Sequence, residues 1–502
     1  MVTFSFTVHN EDNAQHPRWI PTELLIGIIE EVESNDDLLA LASASRRFHD
    51  LAMVNFFARY KFDPFSKELK LDSLEGSCKI LEGLAVYIDL MGSSIYQLSY
   101  NFGYTRNNLQ LLQRVRLLTR YVSKLSSVSY VTLTLAAQYS GDAKQWKDVS
   151  VVLLNTILAR SCRGIHIMSS QLSSFHEEPK NMPPSSKPVD WVKDYWPAGH
   201  SPPNDNPKLL KSCFVQTFPR FLRPFYFHTF NANAASITDL SFKNLFGGGA
   251  DWATMLANLH FPNLQRLKII YGVIARDPLV KFLARHPGTL TNFEYHHIRY
   301  DPRPKSPIRG RPLEPVFQTS LETLTTSPEH IMNFVPSFSS LKRLHDVEIK
   351  IEELMTQSGN ANFTALEGAL RVLENCTNRI TLTLTITHTG LGFGAWFTQM
   401  FAPTHGAGFR AVARPESKLR CVETLVMDNG NWGFTDNIVT VLLPRWLVLF
   451  PQLRVLVLRG GRQSQKSFVG DEDSTSGNTF VTALKEACPD VYIEYGIGSS
   501  YI

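Results

Sequence analysis

Through the long C-terminal part of the chain one phrase of apolar positions keeps returning: an apolar residue, two others, a second apolar residue, one more, then a third. It occurs at Cys162, Ile165 and Ile167; at Ile237, Leu240 and Phe242; at Leu264, Leu267 and Ile269; and at Leu290, Phe293 and Tyr295. It returns at Val422, Leu425 and Met427, at Leu453, Leu456 and Leu458, and in shortened form at Val491 and Ile493. The last two positions of each phrase alternate with a period of two, which predicts a short strand with one buried face. Between phrases, DPLVKFLARH (Asp277 to His286) and ALEGALRVLEN (Ala365 to Asn375) have the composition and spacing of helices.

A second pattern fills the segment from Trp19 to Phe57. Thr22 is placed to cap a helix and Glu23 to oppose its dipole. At about 100° per residue, Leu24, Leu25, Ile28, Ile29 and Val32 fall in an arc of roughly 140°, with Ile26 outside it. Asn35, Asp36 and Asp37 supply turn and cap chemistry before Leu38, Leu41 and Ala42. A third run spaces Phe48, Leu51, Ala52 and Phe56 at helical intervals, opened by Arg46 and Arg47 and closed by Arg59 and Lys61. Three helices in about 40 residues are too few to build a core of their own.

The stretch IPTELLIGIIEEVESNDDLLALASASRRFHDLA resembles the F-box, through Pro21, Glu23, Leu24, Leu25, Ile28, Ile29, Val32, Leu38, Leu39, Leu41, Arg46, Phe48 and Leu51. It departs from the usual pattern at Ile20, by one extra residue in the Asn35 to Asp37 turn, and at Ala44 and Ser45. The resemblance implies a three-helix module that docks on the adaptor subunit of cullin-based (SCF) ubiquitin ligases. The adaptor-binding residues it implies are Ile20, Pro21, Leu24, Leu25, Ile28, Ile29, Val32, Leu38, Leu41 and Phe48. The downstream phrases resemble a degenerate leucine-rich repeat: those starting at Ile237, Leu264 and Leu290 are 27 and 26 residues apart, within the usual 20 to 29. FPNLQRLKI and FPQLRVLVL repeat a Phe-Pro before the strand. An ordinary α/β domain with strands following helices is the alternative.

The expected fold is therefore α/β: a short three-helix module followed by an irregular leucine-rich-repeat-like solenoid. Its expected parts are a flexible N-terminus (1–16), the F-box-like module (17–62), a helical linker (63–124) and the repeat-like region (125–502). Three interruptions read as loops. Ten prolines lie between Pro179 and Pro224, an insertion expected to sustain neither helix nor central strand. Trp191, Tyr195 and Trp196 sit in its middle, a basic proline-rich loop spans Tyr300 to Pro315, and an acidic glycine-rich one spans Gly460 to Gly477.

Composition narrows the function. Of 502 residues, 43% are apolar and 50 basic residues against 46 acidic give a formal charge of +4, too weak a bias for a nucleic-acid or membrane partner. Six cysteines, never as C-x-x-C, argue against a zinc finger and a secreted disulfide framework and for a reducing cytoplasm or nucleus. The N-terminus does not read as a signal peptide, and Pro444, Arg445, Pro451 and Arg454 break the longest apolar stretch, too interrupted to span a membrane. Gly247 to Gly249 before Asp251, and Gly390, Gly392 and Gly394, lack the lysine of a phosphate loop; His296 and His297 are adjacent, so on a strand they face opposite ways. No catalytic residue, cofactor or metal is expected. The expected role is substrate receptor of an SCF-type ligase, with adaptor, cullin and a target protein as partners. A non-ligase interaction scaffold with the head packed internally is the alternative, and a hydrolase with a dispersed site is a third class without a motif.

Overall fold

The computed structural model describes residues 20–72, 75–87, 92–103, 108–135, 143–169, 209–216, 222–245, 256, 258–273, 276–286, 288–299, 320–334, 341–352, 363–387, 397, 418–429, 437–460 and 482–497. The expected flexible stretch 1–16, the Trp191 to Trp196 cluster, the basic loop 300–315, residues 461–477 and both glycine clusters lie outside them.

The apolar phrase does form strands, and they follow one rule. The strands are β1 (Glu68–Leu71), β2 (Ser94–Asn101), β3 (Ser127–Leu135), β4 (Gly164–Ser169), β5 (Ser212–Gln216), β6 (Asp239–Leu245) and β7 (Arg266–Val273). They continue as β8 (Asn292–Arg299), β9 (Thr323–Thr326), β10 (Asp346–Glu352), β11 (Ile380–Thr387), β12 (Val422–Asp428), β13 (Val455–Gly460) and β14 (Tyr492–Ile497). Each pairs in parallel with the next in sequence, in one sheet ordered β1 to β14. A doubly wound α/β domain reverses its strand order at a switch point; this sheet never does. Parallel crossovers are right-handed, so connections that always step in one direction leave their helices on one face. The sheet is a solenoid-like repeat.

Register makes the repeat visible. Leu240, Leu267 and Phe293 are paired neighbours, and so are Phe242, Ile269 and Tyr295 two residues on. Leu425 and Leu456, with Met427 and Leu458, continue the same two columns. All of these are at most 2% exposed, and burying each such side chain contributes about 1.5–3 kcal/mol. Asparagines tie successive turns: Asn263 Nδ2 donates to Ala235 O at 2.8 Å and Asn378 Nδ2 to Leu341 O at 2.7 Å. These bonds satisfy carbonyls that no strand ladder reaches.

Two expectations need correction. Segment 63–124 holds the helices α4 (Glu75–Val86) and α5 (Asn108–Lys124) but also β1 and β2, so the sheet begins there rather than at 125. The interval Pro179 to Pro224 contains β5, a central strand paired with β4 and β6. Its sequence SCFVQ has no proline, so every amide needed for the ladder is present.

The N-terminal helices are α1 (Thr22–Glu30), α2 (Asn35–Ala44) and α3 (Arg46–Arg59). Their caps differ from expectation. Pro21 takes the N-cap position of α1, and Thr22 Oγ1 instead accepts from Arg47 Nη2 at 2.8 Å. Ser34 and Ser45 cap α2 and α3, accepting from Asp37 N and Phe48 N. No described helix is long and apolar enough to cross a membrane.

Candidate interaction surfaces

The three N-terminal helices are held together from α3. Asn55 Nδ2 donates to Ile29 O at 3.1 Å, and Arg59 donates to Val32 O and, at 2.8 Å, to Glu33 O. Ile29 O already accepts from Val32 N, so Asn55 adds a second bond there, while Arg59 supplies donors to carbonyls just beyond the end of α1. His49 Nδ1 lies 2.8 Å from Ala42 O, and its ring stacks on Tyr87. Phe56 is fully buried beneath α4, where a Cβ on Gly83 would come within 2.4 Å of its ring. Glycine at 83 therefore lets α4 close over α3. Lys79 on α4 bonds to Asp36 of α2 at 2.7 Å. Ile29, Leu38, Ala52, Met53, Phe56 and Phe57 belong to the same continuous core as the sheet.

The ten residues that the F-box resemblance singles out divide by direction. Leu25, Ile29 and Leu38 are buried within the chain; Val32, Leu41 and Phe48 are half-buried. Ile20, Pro21, Leu24 and Ile28 are exposed, with Leu24 at 60% and Ile28 at 55%. The apolar arc of α1 is thus wide enough to face two ways. Leu25 and Ile29 point into the chain, while Leu24 and Ile28, one turn apart, line up with Ile20 on the outside. Ile26, outside the arc, is also exposed at 39%. On α2 and the turn before it an open groove of about 650 Å³ is lined by Val32, Ala40, Leu41 and Ala44 together with Glu33, Ser34 and Asp37. From residue 20 to 45 the acidic residues are Glu23, Glu30, Glu31, Glu33, Asp36 and Asp37, all exposed, and there is no lysine or arginine. The result is an apolar stripe with an acidic rim.

The second surface is the open face of the sheet, opposite the two buried columns. Across β2 to β5 its positions are Gln97, Ser99, Asn101, Tyr130, Thr132, Thr134, Gly164, His166, Met168, Ser212, Phe214 and Gln216, none of them Lys, Arg, Asp or Glu. The Tyr130 ring lies over Gly164, where a Cβ would come within 2.6 Å of it, and meets Tyr96 edge-on at 5.3 Å. Tyr96 and Tyr130 are 53% and 38% exposed. His166 and Phe214 form a second ring pair at 5.5 Å, and partial burial lowers the His166 pKa.

From β6 to β11 the same face is charged, and the charges along its middle pair with one another. Arg266 pairs with Asp239. Glu294 takes Lys268 at 2.7 Å, His296 at 2.8 Å and Lys350 at 3.3 Å, while Glu348 accepts from Thr325 and Thr385. Burial alone would raise the Glu294 carboxyl; hydrogen bonds from His296 and Lys268 and the charges of Lys350 and Lys268 hold it at about 2. His296 and Lys350 are almost fully buried. A ligand there would have to compete with bonds already made, whereas the β2 to β5 strip offers neutral donors, acceptors and exposed rings.

No protein-family model matches this chain, and no curated protein matches it. Among solved structures, a chain described as "Crystal structure of Rad7 and Elc1 complex in yeast" is similar over 89% of this chain and 93% of that chain, at 12% identity and a TM-score of 0.34.

Proposed function

We propose that this chain is a substrate receptor of an SCF-type ubiquitin ligase, docking on the ligase adaptor through α1 and presenting a target protein on the open face of the sheet. The observation that carries the reading is the outward stripe of Ile20, Leu24 and Ile28 on a helix whose inner residues, Leu25 and Ile29, already anchor it to the chain. An aligned aliphatic stripe left in water is the signature of a helix meant for an apolar groove. The F-box resemblance names that groove as the adaptor's, and the acidic rim calls for basic residues around it. The target meets the uncharged β2 to β5 strip. Ubiquitin transfer is carried out by the partners, and this chain contributes proximity rather than a catalytic residue. It requires no cofactor, and it works in the cytoplasm or nucleus without nucleic acid or membrane.

One observation favours a second reading, an interaction scaffold outside any ligase: α3 packs through Phe56 and Phe57 into the common core. The head is then an end-piece of the repeat that happens to bind some other protein. A titration of the purified chain with the purified adaptor subunit separates the two. The receptor reading expects binding that Leu24→Asp and Ile28→Lys each abolish and that Glu30→Gln leaves unchanged. Failure of the intact, folded chain to bind the adaptor would overturn it in favour of the scaffold. Point substitutions are required, because deleting residues 1 to 60 would also remove Phe56 and Phe57 from the core.

A further inference from the structure

The sheet has two ends, and they are finished differently. The two inward columns end at Leu69 and Leu71 on β1 and at Ile493 and Tyr495 on β14. Leu69 and Leu71 are 3% and 4% exposed, with α4 packed on β1 and α3 on α4; Ile493 and Tyr495 are only half-buried. β1 is also a guarded edge, four residues long with Glu68 and Lys70 exposed, the short charged form that discourages further pairing. β14 has six residues, YIEYGI, with a single charge, and among the described residues the sheet stops there. A repeat array needs a cap at each end. The head supplies one, and no described strand supplies the other.

We infer that β14 is a dimer interface: two copies of this chain pair their β14 edges antiparallel, about a twofold axis through Tyr495, so that one sheet continues into the other. The backbone sets which groups are on offer. Tyr492 N donates to Arg454 O at 2.8 Å, so Tyr492, Glu494 and Gly496 direct their amides and carbonyls to β13, and Ile493, Tyr495 and Ile497 direct theirs to the far side. On the open face, Arg459 of β13 shares a row with Gly496. A Cβ on Gly496 would come within 3.3 Å of Arg459 Cγ and 3.9 Å of its Nε, so the arginine side chain crosses from β13 to lie over the glycine. Arg459 and Glu494 are both exposed, and neither makes an ion pair with a described residue.

These features select the register. Centred on Glu494, two carboxylates would stand directly opposite one another, which is destabilising. Centred on Ile493, residue 497 would meet Pro489, which has no amide to donate, and residue 495 would meet Val491, whose amide is already given to Cys488 O at 3.2 Å. Centred on Gly496, Ile493 would have no opposite residue within the strand. Centred on Tyr495, position 495 meets its own copy and 493 meets 497, so every outward-facing amide and carbonyl of the strand is paired. Opposite residues of an antiparallel pair share a face. The same register therefore sets Glu494 of each copy across from Gly496 of the other, beside the arginine that lies over it, and the charges match twice by symmetry. Ile493 and Tyr495 gain the neighbouring strand that the interior strands already have. The contact is isologous and closes at two copies. It lies at the opposite end of the sheet from α1 and does not depend on adaptor docking.

Sedimentation equilibrium of the full chain, from low to high micromolar concentration, tests this. The expected result is a species of twice the 56.7 kDa of one chain. Glu494→Arg sets like charges beside one another and should weaken dimerisation by about tenfold or more, with the circular dichroism spectrum unchanged. Combining it with Arg459→Glu should restore the dimer. In the wild-type chain, hydrogen exchange of the peptide covering 491–497 should slow as concentration rises, a readout that needs no variant. A wild-type chain that keeps the mass of one copy, an assembly that grows beyond two, or a dimer indifferent to Glu494→Arg would overturn the inference.

Discussion

The head and the sheet use the same apolar residues to different ends. In the repeat array the inward columns are closed: Leu240, Leu267, Phe293, Leu425 and Leu456 are all at most 2% exposed, each covered by the strand before and the strand after. In the head, α1 covers Leu25 and Ile29 but leaves Leu24 and Ile28 more than half exposed. A repeat stabilises itself by stacking, because every unit supplies the missing face of its neighbour. A three-helix unit at the end of that stack has one neighbour and two apolar sides, so one side is left for another molecule. The difference is one of closure: the array covers its apolar columns itself, while the head leaves an apolar stripe exposed, which is where the proposed docking falls.

The largest effect expected is on the array. Leu456 is fully buried between Leu425 and Ile493, so Leu456→Asp places an unpaired charge in the core and should cost about 4 kcal/mol or more. Chemical denaturation followed by circular dichroism would read it. The comparison is broken if that variant keeps wild-type stability. Next comes the joint between the regions. Gly83→Ala gains up to about 1 kcal/mol of helix propensity, but its Cβ would meet the fully buried Phe56 ring, and overpacking of that kind costs about 1–3 kcal/mol. A net loss of stability, accompanied by increased proteolysis between α3 and α4, is the expected outcome.

How far the fold was legible follows from the same contrast. The phrases at Ile237, Leu264 and Leu290 were readable because their strands are separated by short, similar connections and carry apolar residues at all three positions. β9 was not, since its third position is Thr326, which is buried by donating its hydroxyl to Tyr295 O at 2.6 Å rather than by being apolar. β5 was hidden by the prolines on either side, which describe the connections and not the strand between them. In the head, helical period located three helices although their caps proved to be other residues, yet periodicity gives the width of an apolar arc and not which half of it the chain covers. Only the packing of α3 against α1 divides Leu25 from Leu24. The matched charges on β7, β8 and β10 had no local signal either: parallel register pairs Lys268 with Glu294, and Lys350 reaches Glu294 from two residues further along the same face.

A smaller effect should appear with pH. His286 is 3% exposed; its Nδ1 bonds to Phe282 O at 2.7 Å and its Nε2 accepts from Phe261 N at 3.0 Å. Burial first, then the charges of His260 and Arg285, lower its pKa to about 4 from 6.5, against the Phe282 bond. A proton on Nε2 would face the Phe261 amide hydrogen. The folded pKa lies below the unfolded one, so between about pH 6.5 and 4 the unfolded chain binds the extra proton. Stability is full above 6.5 and falls as pH drops through that window, by about 1–3 kcal/mol. His286→Gln, which keeps an acceptor for Phe261 N, should flatten the slope between pH 6.5 and 4 in melting curves. Glu294 would act separately, between its usual 4.5 and about 2.

The smallest expected change in stability is at the most informative position. Leu24 is 60% exposed, so Leu24→Asp should shift the unfolding free energy by no more than about 0.5 kcal/mol. In a complex the same carboxylate would be buried against an apolar groove without a partner, at a cost of a few kcal/mol, or roughly a hundredfold or more in adaptor affinity. Leu25, its neighbour in sequence, is 4% exposed and faces the chain, so Leu25→Asp should reverse the order and lose stability first. Measuring both variants by thermal melting and adaptor titration sharpens the division between the two faces of α1. If Leu24→Asp destabilised the chain as much as Leu25→Asp did, the outer stripe would belong to the fold, and the head would have no surface set aside for docking.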